Sequence, residues 1–283
     1  LDVSKRNGAM HELNPEKTSE PVLSRVRYID PEWKERKESP RIGSRESRHA
    51  ATSYQDVRVF DARRRIAEGT ANLDISGFTL DHNVTTVTDF RDNDVVGNVY
   101  HDEMKRLICR VTGADAAYVY NHLVRTETPT SFNDGYARFV HCDYNIKMLD
   151  GFAADLLGKH GVKPRENWRF ACYNTWQPFD NPVEKNPLAF IDWETLPFDD
   201  VIDYYYTGYG KDGLVAAPIY NPAHKFCYFP KMSTEEVLVM KQLDSRPGCS
   251  VYCPHTSFDN HAPEDLLPRR SIETRLLAVF DVG

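Results

Sequence analysis

From residue 167 onward the sequence is a series of short strand-like segments, and this pattern restricts the chain to a β-rich core. The segments NWRFACYNTW, PLAFIDW, LVAAPIY and HKFCYFP are aromatic or β-branched, and Pro, Asn and Gly separate them. Short apolar runs divided by turn residues are typical of the strands of a sandwich or barrel. CSVYC and SIETRLLAVF are two further predicted strands near the end of the sequence. We therefore expect an antiparallel, barrel-like core.

Helical patterns lie mainly before this core. Residues 92–113 carry apolar side chains at spacings of three and four, with an aspartate near the start and Gly113 at the end, which predicts a helix. A buried strand over 116–124 and a second helix over about 144–158 follow. Within the β-rich part, an S-x-x-E capping box predicts one more helix in MSTEEVLVMKQLD. The fold class expected from these patterns is α+β.

Composition sets the domain organisation and excludes some functions. Residues 1–50 are polar, rich in mixed charge and without periodicity, so we interpret them as a polar N-terminal arm. We expect residues 51–283 to form a single domain with a large core. The formal net charge of −7 disfavours a nucleic-acid interface, which normally needs a basic face. No apolar run approaches 18 residues, so we expect no contact with a membrane through a spanning helix.

The cysteines indicate the compartment. Six cysteines are scattered along the sequence and form no CxxC pair, which argues against a zinc finger. No stretch resembles a signal peptide. Scattered thiols in such a protein favour a reducing environment, and we expect a cytoplasmic enzyme.

A candidate metal site begins in RFVHCDYN, where His141 and Asp143 are two residues apart. On a strand, residues i and i+2 point to the same side, so an imidazole and a carboxylate can reach one point. A hydrogen bond between the two at a strand end is the structural alternative. His255 in YCPHTSF can supply a third ligand. Two histidines and one carboxylate form the facial triad of non-haem Fe(II) oxygenases, which leaves positions open for an α-keto acid and O2.

The order and spacing of these pieces resemble the Fe(II)/2-oxoglutarate-dependent oxygenases of the cephalosporin-methoxylase and gibberellin-desaturase-like group, which act in natural-product pathways. The matching stretches run from about residue 70 to the C-terminus and are GFTL, TTVTDFRD, VTGADAAYVYNHLVR, VHCDYN, NTWQPFDNPVEKNPLAFID, HKFCYFPKMSTEEVLVMKQLDS, HTSFDN and RRSIETR. The resemblance implies a double-stranded β-helix, or jelly roll, flanked by helices. It also implies that His141, Asp143 and His255 bind Fe(II), with 2-oxoglutarate and O2 as co-substrates.

The segment RRSIETR matches a family pattern in which two arginines flank a Ser-Ile-Glu core. The resemblance implies that 2-oxoglutarate is bound by Arg269 with Ser271, or by Arg275, and we favour Arg269. The family usually has an arginine after the Trp of N-x-W-x-P, where this protein has Gln177. Loss of that cation implies a different ligand or a substitute residue, for which Arg169 is a candidate.

Several polar residues are candidates for the substrate-binding wall, each with a purely structural role as the alternative: Asn121, His122, Arg125, Arg169, Gln177, His224 and Tyr228. The implied enzyme is a dioxygenase that takes a hydrogen atom from an unactivated C–H of a small metabolite in secondary metabolism. Hydroxylation, desaturation or ring closure can follow. We expect a small polar substrate that bears a carboxylate or an amine, and a homodimer as the oligomer to test. The alternatives are a same-fold Fe(II) oxidase that needs no 2-oxoglutarate, a non-catalytic metal-binding protein and a zinc hydrolase.

Overall fold

The computed structural model describes residues 20–126, 136, 139–208 and 212–283. The strands in these residues are β1 (Val22–Ile29), β2 (Arg41–Ile42), β3 (Thr52–Asp61), β4 (Phe78–His82), β5 (Ala116–Arg125), β6 (Trp168–Pro178), β7 (Leu188–Ile191), β8 (Val201–Tyr206), β9 (Gly213–Pro218), β10 (Phe226–Tyr228), β11 (Glu236–Asp244), β12 (His255–Ser257) and β13 (Ser271–Asp281). The helices are α1 (Arg45–Ala51), α2 (Arg63–Ala67), α3 (Asn93–Val95), α4 (His101–Thr112) and α5 (Leu149–Lys159). A π-helical turn (Val96–Tyr100) joins α3 to α4.

Two five-stranded sheets form the body of the fold. The first sheet has the order β1-β3-β10-β7-β12, and the second has the order β4-β11-β6-β13-β5. A smaller third sheet has the order β2-β8-β9. Side chains of the first and second sheets meet in one apolar cluster, in which Phe190 and Cys227 contact the layer of Trp176 and Met240. The two sheets therefore pack face to face, as a jelly roll requires.

Helix α4 covers the outer face of the second sheet. Met104 and Leu107 are buried in a cluster with Leu276 of β13. The Asp92 side chain accepts hydrogen bonds from two backbone N–H groups of the first turn. Gly113 ends the helix with a φ of 72°, a conformation that favours glycine. The helix predicted over 92–113 is therefore confirmed, together with its two ends.

The strand predicted over 116–124 is confirmed as β5. The second predicted helix begins later than expected, at Leu149, because Asn145 caps a separate 3-10 turn over Ile146–Met148. None of the helices in the described part of the protein is long and apolar enough to cross a membrane.

The helix predicted in MSTEEVLVMKQLD is wrong, because Glu236–Asp244 form strand β11. This strand lies between β4 and β6, and all 9 of its residues are buried. A strand buried on both faces shows no alternation of apolar and polar residues, so periodicity does not distinguish it from a buried helix. The S-x-x-E pair stabilises a turn instead, since the Ser233 N–H donates to the Glu236 carboxylate at 2.9 Å.

The strand predicted in CSVYC is also wrong. Residues 249–253 form no strand, and β12 begins only at His255. CSVYC follows a turn that contains Gly248, whose φ is 79°. Tyr252 and Cys253 of this segment are buried as part of a loop, and composition alone does not separate such a loop from a short strand.

Part of the segment interpreted as a polar arm is a strand of the first sheet. β1 pairs with β3 along its whole length, from Val22 opposite Val59 to Ile29 opposite Thr52. Val26 and Tyr28 point into the core, while Arg25 and Arg27, which alternate with them, stay more exposed. This alternation is a strand signal hidden among many charges. A polar arm stays a prediction for residues 1–19, which lie outside the described residues.

Gln177 lies on the outer face of β6, where it contacts the helical layer. Its amide oxygen accepts from the Tyr100 hydroxyl at 2.8 Å and from the Asn83 amide at 3.2 Å. Its amide nitrogen donates to the carbonyl oxygens of Asn83 at 2.9 Å and Thr234 at 2.7 Å. Two donated and two accepted hydrogen bonds use the full capacity of an amide. Gln177 therefore has a structural role, and its amide does not face the barrel interior as the predicted substrate contact would need.

Replacing Gln177 by Ala should destabilise the fold without changing ligand binding. The substitution leaves buried donors and acceptors without partners, and we expect the free energy of unfolding to fall by about 3 kcal/mol. Urea denaturation measures this change. Gln55→Ala is the matched control, because the half-buried Gln55 donates one hydrogen bond to Ser53, and its loss should cost less than about 1 kcal/mol. An equal loss in both variants would contradict the assignment.

Candidate metal centre and adjoining cavity

A short antiparallel bridge brings two histidines together. The His255 N–H donates to the carbonyl oxygen of His141 at 3.0 Å, and the reverse hydrogen bond measures 3.3 Å. The two imidazole rings lie 4.7 Å apart, centroid to centroid. The Nε2 atoms of His141 and His255 lie 3.7 Å and 3.6 Å from the two carboxylate oxygens of Asp143. The side chains of the three residues that the sequence predicts as metal ligands thus converge on one point.

Backbone carbonyl groups orient both imidazole rings. Nδ1 of His141 lies 2.7 Å from the carbonyl oxygen of Phe139, and Nδ1 of His255 lies 3.2 Å from that of Cys253. A carbonyl oxygen can only accept, so these contacts place the proton on each Nδ1. The Gln242 amide nitrogen also lies 3.4 Å from Nδ1 of His255, but it donates to the Cys253 carbonyl oxygen at 3.0 Å. Each Nε2 therefore presents its lone pair toward Asp143. This use of the second ring nitrogen is typical of metal-ligating histidines.

Two donors from neighbouring strands of the second sheet hold the Asp143 carboxylate. Nη2 of Arg275, on β13, donates to Oδ1 at 2.5 Å, and the amide of Asn174, on β6, donates to Oδ2. Arg275 is held in turn by Glu273, whose carboxylate accepts from Nε at 2.7 Å. Each carboxylate oxygen keeps a further lone pair, so these hydrogen bonds leave Asp143 able to bind a metal.

Burial and neighbouring charges set the protonation states of the ligands. Burial alone would raise the pKa of the Asp143 carboxyl, but Arg275 and the two histidines outweigh it and hold the pKa below its usual range. Burial, followed by the proximity of His255, lowers the pKa of His141 to about 4. Near neutral pH, Asp143 is therefore ionised and His141 is neutral. These are the forms that coordinate metals.

The donor atoms fit a divalent transition metal. One ligand atom of each residue lies within 4.8 Å of the others. Ligand atoms at about 2.1 Å from a metal, in adjacent positions, lie about 3 Å apart. Small side-chain rotations would therefore close the observed spacings around an ion. Two imidazoles and one carboxylate suit Fe(II), and they leave open positions on the metal.

Arg269 lies inside the barrel, beside the strand that carries His255. Its Nη1 lies 3.4 Å from the hydroxyl of Ser257, which is two residues from His255 and faces the same side of β12. Arg269 is only 2% exposed. Ser271, two residues further along the sequence, is also buried, and within the described residues its hydroxyl oxygen has no hydrogen-bond partner. A buried cation and an unpartnered hydroxyl suit an anionic ligand.

A cavity of about 320 Å³ opens beside His141 and Asp143. Strand β5 forms one wall, because residues at i, i+2 and i+4 share a face: Asn121, Leu123 and Arg125. Aromatic groups from three other positions complete much of the lining: Phe139, Tyr204 and Tyr206. Arg48 of α1 and Arg275 also line the cavity. The sequence-predicted wall residues Asn121 and Arg125 thus lie at this cavity.

His122 lies on the opposite face of β5, away from the cavity that its neighbours line. Its Nδ1 is 3.0 Å from Nε2 of His101, and its Nε2 is 3.0 Å from the Asn93 side-chain oxygen. The Asn93 oxygen accepts from Nε2–H of His122, so Nδ1 of His122 accepts from His101. The strand alternation that places Asn121 in the wall therefore directs His122 to the helical layer.

This histidine pair should make stability depend on pH. Burial, followed by the proximity of His122, lowers the pKa of His101 to about 4, against about 6.5 in an unfolded polypeptide. Between these values the unfolded state binds more protons, so stability falls as the pH falls from 6.5 to 4. For His101→Gln, we expect the loss of stability between pH 7 and pH 5 to be smaller by about 1 kcal/mol, after a reduction for solvent screening. Urea denaturation at both pH values checks this, and the exposed His160→Gln is the control.

Three other predicted wall residues lie elsewhere. Arg169 contacts Asp244 at 3.2 Å and stacks on Phe280, on the outside of the barrel. His224 is hydrogen-bonded to the Tyr28 hydroxyl at 3.1 Å. Tyr228 packs edge-on against Phe258, also outside the described lining of the cavity. All three are predicted because they lie in or beside a sequence motif. Such a position does not show which way a side chain points.

Sequence reasoning misses several residues of the site. Asn174 and Glu273 belong to the motifs NTWQP and RRSIETR, but the motifs predict no role for them. Their positions two residues apart from Trp176 and Arg275 place them on the inner face of their strands. Tyr204 and Tyr206 show the same i, i+2 signal in DYYY.

A jelly-roll barrel in which two oriented imidazoles and one ionised carboxylate converge beside a cavity defines the class of facial-triad, non-haem iron oxygenases. Comparisons with known proteins agree. A family model described as "Oxidoreductase/YMDC permease-like domain" matches residues 26–280. The chain is 28% identical over 249 residues to the Fe(II)/2-oxoglutarate-dependent dioxygenase NvfI of Aspergillus novofumigatus, covering 84% of this chain and 88% of that protein. It is 31% identical over 266 residues to a hydroxylase/desaturase of Hormonema carpetanum, covering 80% of this chain and 84% of that protein.

A solved structure of the iron and alpha-ketoglutarate-dependent endoperoxidase NvfI superposes with a TM-score of 0.82 at 25% identity, covering 93% of this chain and 98% of that one. The chain therefore belongs to the family of Fe(II)/2-oxoglutarate-dependent oxygenases of secondary metabolism, and it is an oxidoreductase. The predicted family, the double-stranded β-helix fold and the enzyme class are confirmed. The cofactor set of this family is Fe(II), 2-oxoglutarate and O2.

Proposed function

We propose that His141, Asp143 and His255 hold Fe(II), and that the enzyme uses it with 2-oxoglutarate and O2 to remove a hydrogen atom from a C–H bond of a small metabolite. The convergence of both Nε2 atoms on the Asp143 carboxylate, with each Nδ1 engaged by a backbone carbonyl, carries the proposal. When bound, the iron with its keto acid supplies the oxidising power that an unactivated C–H requires. Hydroxylation, desaturation or ring closure is the outcome.

Arg275 and Asn174 act as positioning residues for Asp143. Each donates to a different carboxylate oxygen, so the carboxylate plane is fixed from both sides. Arg275 is also paired with Glu273, which places its guanidinium between two carboxylates. A cation neutralised in this way has little attraction left for a further anion. Arg275 is therefore the weaker of the two candidates for binding 2-oxoglutarate.

Arg269 with Ser271 is the proposed site for the distal carboxylate of 2-oxoglutarate. The Arg269 guanidinium lies near Ser257, on the same face of β12 as His255, so a keto acid that reaches from the metal along this face meets a buried cation. The Ser271 hydroxyl supplies a second donor. A planar guanidinium can bind a carboxylate through two parallel hydrogen bonds.

The two co-reactants would approach from different sides. Among the described residues, the 320 Å³ cavity is lined by His141 and Asp143, whereas Arg269 and His255 are absent from its lining. The keto acid would therefore occupy the barrel interior and the metabolite would occupy the cavity. The cavity residues would thus hold the target C–H bond beside the metal, while Arg269 would hold the keto acid on the barrel-interior side of the metal.

Turnover of 2-oxoglutarate by the reconstituted enzyme tests this function. The metal-stripped protein is loaded anaerobically with Fe(II), iron content is measured, and succinate is followed after O2 is admitted with and without the keto acid. We expect one Fe(II) per protein molecule and slow succinate formation that needs both Fe(II) and 2-oxoglutarate. O2 uptake without keto acid would favour the Fe(II) oxidase, and failure to retain iron would contradict the triad.

A further inference from the structure

Arg125 is a cation in the cavity wall that the proposed iron and keto-acid sites do not use. It lines the cavity together with His141 and Asp143, and it is half-buried. Among the described residues its guanidinium has no hydrogen-bond or ion-pair partner. Arg275, which lines the same cavity, is by contrast matched by the carboxylates of Asp143 and Glu273. A half-buried arginine without a partner is suited to bind an anionic group of a ligand.

Asn121 lies on the same face of β5, four residues before Arg125. Its side-chain oxygen is buried and, within the described residues, has no hydrogen-bond partner. A buried amide without a partner is costly, so it indicates a polar group of a ligand. Leu123 lies between the two on the same face of β5 and contributes an apolar side chain to the cavity wall. The wall therefore offers a polar group, an apolar patch and a cation in a row.

The charge of the cavity favours an anion over a cation. Arg48, Arg125 and Arg275 line it, and Asp143 is the one carboxylate among its described lining residues. Arg275 is balanced by Asp143 and Glu273. An Fe(II) ion and a doubly charged keto acid add no net charge. A substrate amine would therefore be repelled and a carboxylate attracted.

The other side of the cavity is aromatic. Phe139 and Tyr204 pack edge to face with ring centroids 5.7 Å apart, and Tyr206 follows on the same face of β8. Aromatic walls of this kind bind the apolar body of a ligand. A volume of about 320 Å³ limits that body to a small ring system.

We propose, on the basis of the proposed function, that the substrate is a carboxylic acid with an apolar ring body and that Arg125 binds its carboxylate. The carboxylate end is then held at the β5 wall, and a C–H bond of the ring or of one of its substituents faces His141 and Asp143. Arg125 is in this view a specificity-determining residue. The sequence-based expectation of a carboxylate- or amine-bearing substrate is thereby narrowed to the carboxylate.

Matched acids and esters test this assignment. The protein is loaded with Mn(II) and 2-oxoglutarate under anaerobic conditions. Binding is then measured calorimetrically for two acid–ester pairs: 1-naphthoic acid with methyl 1-naphthoate, and indole-3-acetic acid with methyl indole-3-acetate. 1-Naphthylmethylamine and 1-naphthyl phosphate are measured in the same way, as a cationic ligand and a phosphate ligand for comparison with the acids. We expect at least one acid to bind about tenfold or more tightly than its ester. In Arg125→Gln this preference should fall below about twofold, and Arg125→Lys should retain part of it.

Arg106→Gln is the control, because it removes the same charge from an exposed position of α4. It should keep the wild-type preference. Tighter binding of the amine or of the esters, or no binding of any acid–ester pair, would overturn the proposal. Tighter binding of the phosphate than of the acids would also overturn it, because the anionic group of the substrate would then be a phosphate. The affinity for 2-oxoglutarate is measured separately in each protein. If Arg125→Gln loses affinity for 2-oxoglutarate, Arg125 belongs to the keto-acid site and the proposal is overturned. If the wild-type protein does not bind 2-oxoglutarate, the proposed function itself is refuted.

Discussion

Asp143→Ala should lose both iron binding and turnover. The substitution removes the one anionic ligand from the triad, so we expect no stoichiometric Fe(II) and no succinate above background. It also leaves Arg275 with Glu273 as its only partner among the described residues, which should lower the free energy of unfolding by about 3 kcal/mol. Iron analysis after anaerobic loading and urea denaturation measure the two effects.

Two variants separate the metal role of Asp143 from its part in stability. Asp143→Glu keeps a carboxylate near Arg275, so this variant should recover most of the stability. Its iron affinity should stay low, because the longer side chain displaces the carboxylate oxygen that would bind the metal. Asp150→Ala removes an exposed carboxylate at the start of α5 and should leave both properties unchanged. Stoichiometric iron in a folded Asp143→Ala protein would refute the assignment of the triad.

The joint position of His141 and Asp143, two of the three proposed metal ligands, can be predicted from the sequence because the i, i+2 relation is a local property of the backbone. His255 meets them through one backbone bridge between distant segments, and its prediction rests on the facial-triad pattern and the family resemblance. The roles of Asn174 and Glu273 cannot be predicted, because they depend on which strands become neighbours. Asn174 lies opposite both Arg275 and Met240, and no local pattern specifies that register.

The errors of prediction have two physical origins, which are the burial of a strand on both faces and the face of the strand on which a motif residue lies. The pattern of β11 predicts a helix because a strand buried on both faces loses its period of two, and even its Lys241 is fully buried between Asp74 and Asp244. The place of Gln177 in a motif predicts a substrate contact. The structure turns it to the other side of the sheet, where its four hydrogen bonds are satisfied. A motif gives the position of a residue along the strand, and the face follows only when the alternation is counted from a known neighbour.

Arg269→Ala and Arg275→Ala should fail in different ways. If Arg269 binds the distal carboxylate of 2-oxoglutarate, its loss removes a buried bidentate pair worth about 3 kcal/mol, and the KM for 2-oxoglutarate should rise roughly 100-fold. Iron affinity should change little, because the Asp143 carboxylate is held by Arg275 and Asn174. Arg275→Ala should instead weaken iron binding roughly 10- to 100-fold through the displaced Asp143 carboxylate, with a smaller change in the KM for the keto acid.

Iron affinity and the keto-acid KM are measured in both variants, with succinate formation as the readout for turnover. Arg269→Lys should rescue little of the KM, because an ammonium group cannot form two parallel hydrogen bonds to a carboxylate. Arg275→Lys should rescue iron binding better, since a single charge beside Asp143 preserves part of the attraction. A larger rise in the keto-acid KM for Arg275→Ala than for Arg269→Ala would reverse the two assignments. The keto acid would then lie against the second sheet, on the cavity side of the metal, and the space left for the substrate would be correspondingly smaller.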